Sequence, residues 1–324
     1  MSCKTTKEAY AVKRTVPPSA AQTPSVWLVS VMMAWVVGGV DGCGGAAGVG
    51  IAGQPSVGLG AYGLRVGGLD GAERWLVSQS AAAGRLDVVS MVGRVDDSPH
   101  VLSEDFASLR LLDGGRLRID RGELVARFTF PRKVSAADLL HPYLAVASGL
   151  VWAWSGREAL HAGAFVVGDG AVLMLGAGEA GKSSTLAFLA GERGVGVLSD
   201  DLVVLEAERA LVGPRCVDVR PDVPAVRSVA VRGNERLRVD LDPVVGPVAV
   251  RAIVVLAWGE ALSLREVALR ERFGLLAAQR SVPSSTADPS VILGLVGVPM
   301  LALTRPRGLA GLPAGVDLLL DYLA

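Results

Sequence analysis

"LMLGAGEAGKSSTLAF", Leu173–Phe188, and "GVGVLSDDLVVLE", Gly194–Glu206, decide how the rest of this 324-residue chain is read. In the first, an apolar run enters a glycine-rich loop and leaves it as a helix-forming run. In the second, an apolar run ends on two adjacent aspartates. Glycine alone cannot mark the loop, because the chain holds 40 of them. Lys182 does mark it: lysine occurs five times in all, three of them within the first fourteen residues, and arginine serves as the cation nearly everywhere else. A turn needs no lysine, whereas a flexible stem carrying a compact charge suits a phosphate.

Gly176, Gly181, Lys182 and Ser183 satisfy G-x-x-x-x-G-K-[ST], the Walker A pattern, between a strand-like and a helix-like run. Small residues let backbone N–H groups turn inward on phosphate oxygens, and the helix N-terminus adds its positive end. The nucleotide-binding set is therefore Gly176, Ala177, Gly178, Glu179, Ala180, Gly181, Lys182, Ser183 and Ser184. Lys182 is expected to bridge β- and γ-phosphates and Ser183 to ligate Mg2+.

Asp200 and Asp201 are expected at the carboxyl edge of the sheet beside the phosphates. One carboxylate can hold the metal while the other accepts a proton from an attacking hydroxyl. His161, just before the apolar "GAFVV", is expected near the same edge. Arg215, Arg220, Arg227, Arg232 and Arg236 crowd a polar stretch, Gly213–Asp242, either as a solvated loop or with one or two reaching the triphosphate or an acidic substrate.

Working outward, short apolar runs alternate with Gly and Asp turns from Val57 to Phe130, as in "LRLLDGGRLRID" and "ELVARFTF", which predicts antiparallel hairpins. Ser135 is a cap for one helix or two across Ser135–Leu160. Then "GAFVVGD", "AVLMLGA", the helix "GKSSTLAFLAGER", "VGVLSDD" and "LVVLEA" give strand, strand, helix, strand, strand, the middle three forming a βαβ unit. "VRAIVVLAW" and "VPMLALTRP" read as strands, and "LREVALRERFGLLAAQR" and "LPAGVDLLLDYLA" as helices.

Composition sets bounds. Half the residues are apolar (51%), enough for a real core, and 32 basic residues balance 32 acidic ones, so no global field draws the chain to nucleic acid or an anionic membrane. Cys3, Cys43 and Cys216 show no C-x-x-C spacing, and His100, His141 and His161 no close helical pair. Zinc sites and disulfide frameworks are not expected, and a reducing cytoplasm fits best. Before "VWLVSVMMAWVVGGV", Val26–Val40, stand Lys4, Lys7, Lys13 and Arg14, an order like that of a signal or short anchor. The run is shorter than the roughly 18 to 20 apolar residues that span a bilayer, so membrane association is not expected. Gly42, Gly44 and Ala47 form a partial dinucleotide fingerprint without the surrounding unit and read as a linker. The organisation expected is a low-complexity or targeting-like, disordered extension over 1–56, a small β-rich domain over 57–134 and a catalytic domain over 135–324.

"LHAGAFVV", "GAGEAGKSS" and "LSDD", in that order, resemble the catalytic domain of the HPr kinase/phosphorylase family. The likeness extends over about Val57 to the end and is closest to the lasso peptide precursor kinase homologues, through the hairpin "GRLRIDRGELVARF" and the segment "VPMLALTRPRGLAGLP". The resemblance implies an α/β fold: a P-loop kinase domain of the HPr kinase/phosphoenolpyruvate carboxykinase-like type after a small β-rich domain. It implies ATP and Mg2+ as cofactors, Asp200 as proton acceptor, Asp201 and Ser183 at the metal, and Lys182 and His161 in the active site. The acceptor it implies is a serine of a ribosomally made peptide or small protein. The sequence departs from the family at Ser184, where bacterial HPr kinases carry Glu, and lacks an "EIRG"-like segment, which leaves one metal ligand unassigned and argues against HPr as substrate. A non-catalytic nucleotide-binding regulator and a small-molecule kinase stay open as alternatives, as does a homo-oligomer.

Overall fold

A computed structural model describes residues 58–79, 84–111, 113–223, 228–232 (backbone only), 236–282 and 288–324. The extension over 1–56, with its basic and apolar runs, lies outside the described residues.

Strands β1 (Gly58–Ala61), β2 (Leu64–Gly67), β3 (Val77–Gln79), β4 (Gly84–Val92), β5 (Val101–Leu102), β6 (Phe106–Arg110), β7 (Arg116–Asp120) and β8 (Val125–Phe130) form one sheet, ordered β3-β1-β2-β4-β8-β7-β6-β5. The expected hairpins are present at β6–β7 and β7–β8. The sheet as a whole is mixed: β4 runs parallel to both β2 and β8. The chain leaves β4, makes β5 to β7 on the far side and returns through β8, so the last strand meets β4 in the same direction.

Ser135 opens the next segment as read, its hydroxyl accepting from the Asp138 N–H at 3.1 Å. Helical turns over 136–143 are interrupted at His141, whose backbone is extended (φ −145°, ψ 122°). Helix α1 (Leu144–Trp154) follows and ends well short of Leu160, which belongs to β9 (Ala159–Leu160). It is buried almost all round, as expected of a helix apolar on every face. With Leu140 of the preceding turn, its Leu144 and Trp152 share one core with Leu86, Phe128 and Phe130 of the first sheet.

The larger sheet is built on β10 (Gly163–Val167), β11 (Gly170–Leu175), β12 (Val197–Ser199), β13 (Val203–Glu206), β14 (Arg209–Ala210), β18 (Val248–Trp258), β19 (Ser263–Glu266) and β20 (Met300–Arg305), with β9 at one edge. Between β14 and β18 the chain makes β15 (Cys216–Val219), β16 (Ser228–Arg232) and β17 (Arg236–Asp240), a separate sheet ordered β15-β17-β16. The polar stretch, for which a solvated loop is one of two readings, is three antiparallel strands: its alternating pattern, as in "CVDV" and "RLRVD", buries Val217, Val219 and Val239.

At the centre of the large sheet, β11, β18 and β20 are parallel neighbours. Helix α2 (Lys182–Arg193) connects β11 to β12, which run the same way with antiparallel β10 between them. The βαβ unit thus steps over one strand. Gly163 on β10 makes room for α2: a Cβ there would lie 2.5 Å from Leu186 Cδ1. One face of the sheet packs on α2 and α5 (Leu312–Leu323), the other on α3 (Leu269–Ala277) and α4 (Pro289–Gly297). The helix expected over Leu264–Arg280 is shorter than its pattern, because Ser263–Glu266 pairs along β20 and satisfies its backbone there instead.

Candidate active site

Three strand ends meet at the carboxyl edge of the parallel core, the usual ligand edge of such sheets. β11 delivers the glycine-rich loop, and β18 and β20 end on the register partners Trp258 and Arg305. The Trp258 indole N–H donates to the Glu179 carbonyl at 3.1 Å, and the Arg305 guanidinium stacks on the indole 4.2 Å from its centroid. Glu179 sits at φ 64°, its carbonyl held by the indole. Gly181, at φ 89°, cannot be replaced without strain, and a Cβ there would fall 2.4 Å from Arg305 Nη2. Arg305 is 2% exposed and its Nη2 has no hydrogen-bond partner.

Lys182 is the first residue of α2 and is buried. Its ammonium donates to the carbonyls of Gly176 at 2.8 Å and Ala177 at 3.3 Å, and lies 3.2 Å from His161 Nε2. His161 Nδ1 lies 3.0 Å from the Asp201 carbonyl. A donating Nδ1–H there leaves Nε2 to accept from Lys182. Burial, then the neighbouring Lys182 charge, lowers the imidazole to about 4, so it is neutral at physiological pH. Burial also lowers the Lys182 ammonium, against the opposing charges of Asp201 and Asp200.

Asp200 and Asp201 follow β12 directly. The Ser183 hydroxyl donates to Asp200 Oδ1 at 3.2 Å, while Asp200 Oδ2 is enclosed without a hydrogen-bond partner. Burial, then the adjacent Asp201, holds the Asp200 carboxyl well above the usual carboxylate range. Asp201 adopts φ 63°, and its Oδ2 lies 3.2 Å from His141 Nε2.

Sequence reading missed that histidine. His141 is placed by the interruption in the helical segment, and its carbonyl accepts from Arg238 Nη2 at 3.3 Å. Arg238, wholly buried on β17, grips Asp218 of β15 through two bonds at 2.8 and 2.9 Å. Asp218 Oδ2 stands 4.0 Å from His141 Nε2. A histidine and proline inside an apolar helical run, "LLHPYLA", was the available signal. Tyr62, from the turn between β1 and β2, is also buried here, and its hydroxyl is raised by burial and then by the Asp201 charge.

The structure brings together Lys182, Ser183, Asp200, Asp201 and His161. Of the arginines singled out, Arg215 donates its Nε to the Leu241 carbonyl and Arg220 is exposed, while Arg227 lies outside the described residues. Two arginines not singled out do reach the site's elements: Arg238 at the His141 carbonyl and Arg305 beside Gly181. A divalent cation fits this donor set: Ser183 and two carboxylates offer hard oxygens, and the enclosed Asp200 Oδ2 lacks a partner.

No protein-family model and no curated protein matches the sequence. Among solved structures the chain is similar to the Hpr(Ser) kinase/phosphatase from Coxiella burnetii, at 13% identity, over 51% of this chain and 97% of that one, with a TM-score of 0.25. A likeness at that score assigns no residue of this chain. Among the described residues no helix is long and apolar enough to cross a membrane.

Proposed function

We propose that the chain is an ATP-dependent kinase that transfers the γ-phosphoryl group to a hydroxyl, most specifically a serine in a ribosomally made, lasso-type precursor peptide or a small protein. The observation that carries the reading is the joining of two halves: Ser183, in the phosphate loop, meets Asp200, a buried carboxylate with an unengaged oxygen, at 3.2 Å. The peptide acceptor draws on the flanking segments quoted above.

In this reading the loop N–H groups and Lys182 bind the triphosphate, Lys182 exchanging the Gly176 and Ala177 carbonyls for phosphate oxygens. Mg2+, held by Ser183 and Asp201, would supply charge neutralisation on the β- and γ-phosphates. Asp200 accepts the hydroxyl proton as the acceptor oxygen bonds to γ-phosphorus and the bond to the β-phosphate oxygen breaks, releasing ADP. Neutral His161 holds the Lys182 ammonium and the Asp201 carbonyl in place. With Lys182, His161 and Asp200 at 6%, 2% and 2% exposure, little water reaches the centre to divert ATP to hydrolysis. The proposed setting is cytoplasmic, with no nucleic-acid partner.

Labelled ATP, Mg2+ and the serine peptide encoded beside the gene provide the test. Asp200→Asn is expected to keep ATP binding and lower transfer by about 10²–10⁴-fold, and Lys182→Ala to weaken both. Undiminished transfer by either variant sinks the assignment.

A further inference from the structure

One cluster beside the phosphate loop is chemically unlike a plain magnesium site. One ligand atom each from His141, Asp200 and Asp201 lies within 4.8 Å of the others. The same histidine nitrogen, Nε2, faces Asp201 at 3.2 Å and Asp218 at 4.0 Å. Asp218 is already engaged by Arg238, which leaves the two adjacent aspartates as the oxygen donors. Asp200 is 2% exposed, and its Oδ2 is enclosed without a partner, a costly arrangement that a bound cation would relieve. The backbone of His141 is fixed by the Arg238 contact to its carbonyl, the kind of outer support that orients a ligating imidazole.

We propose that His141, Asp200 and Asp201 form one mixed nitrogen–oxygen site, with His141 Nε2 as the nitrogen ligand, and that it takes a first-row transition dication in preference to Mg2+. Magnesium keeps to oxygen donors and gives up water reluctantly, whereas imidazole favours the transition series. The role of the cation in phosphoryl transfer rests on the kinase reading; its binding does not. Asp200 would offer Oδ2 to the cation and keep Oδ1, the oxygen facing Ser183, for the acceptor proton.

The test uses the full chain without nucleotide and Mn2+ alone, the weakest binder of the series and so the most demanding probe. Electron paramagnetic resonance is expected to show one bound Mn2+ per chain, resistant to a tenfold excess of Mg2+ (about tenfold selectivity or more). Pulsed spectra are expected to show coupling to a directly bonded imidazole nitrogen. His141→Gln should remove that coupling and weaken Mn2+ by at least about tenfold. Bound Mn2+ without nitrogen coupling in the wild-type chain, or no binding at all, overturns the site, and neither result depends on a variant that folds. Nitrogen-coupled Mn2+ in a chain that transfers no phosphate keeps the site and fells the kinase reading. Transfer with Mg2+ and no nitrogen ligand does the reverse.

Discussion

The two halves of the candidate site are built in opposite ways. On one side, Gly176 to Ser183 are consecutive, and a strand end, a loop and a helix start are enough to shape them. On the other, His141, Asp201, Asp218 and Arg238 come from four separate segments and are held by a buried ion pair. The first half owes its form to local backbone geometry, the second to tertiary packing. The first should therefore tolerate damage at a distance, and the second should fail as a unit.

The largest effect is expected where that unit is cut. Asp218→Ala leaves Arg238 charged, wholly buried and without its carboxylate, and should cost about 3–5 kcal/mol in urea unfolding. Asp218→Leu with Arg238→Met removes both charges and should cost clearly less. Equal losses for the two would make the pair a matter of shape alone and weaken the contrast.

His161 bridges the halves, so its titration reads how firmly they are joined. Its folded value of about 4 lies below the ordinary 6.5, so the unfolded chain binds more protons between those limits and stability rises with pH across that window. Above 6.5 the contribution is constant. At about 1.4 kcal/mol per pH unit the gain is at most about 3.5 kcal/mol. Asp200, held above the usual carboxylate range, acts in the opposite sense over the same window, so the readout is a difference: denaturant midpoints from pH 4 to 7 should change less favourably with rising pH in His161→Gln than in the wild-type chain. Parallel profiles would mean that the imidazole is not buried beside Lys182.

The smallest effect belongs to Ser135→Ala. Its cap starts the segment that carries His141, and its loss should lower stability by about 1 kcal/mol. A thermal melt that also shows lost Mn2+ affinity would reveal coupling from cap to cluster.

The same contrast explains what could be read in advance. Lys182, Ser183 and the two aspartates were legible because their chemistry is written in adjacent letters. His161 was legible as a histidine beside a strand. The hairpins β6–β7 and β7–β8 followed from alternation and turn residues, but the parallel pairings of β4 depend on where the chain returns, which no local period records. The strand at Ser263–Glu266 had a helical pattern and lost it to an available edge on β20. Arg238 was passed over beside Arg236 because nothing in "RLRVD" says which arginine points into the core. Trp258 and Arg305 meet Gly181 only because β11, β18 and β20 end together.

The position of Trp258 gives the molecule an optical gauge of its own. Its ring carries a guanidinium on one face while its N–H is tied to the Glu179 carbonyl, so both the stacked charge and the hydrogen bond belong to the loop's immediate surroundings. A displacement of that loop changes the polarity and quenching around a single indole. On the kinase reading proposed above, nucleotide binding is expected to change the emission of this one of the six tryptophans, which the difference between the wild-type chain and Trp258→Phe isolates.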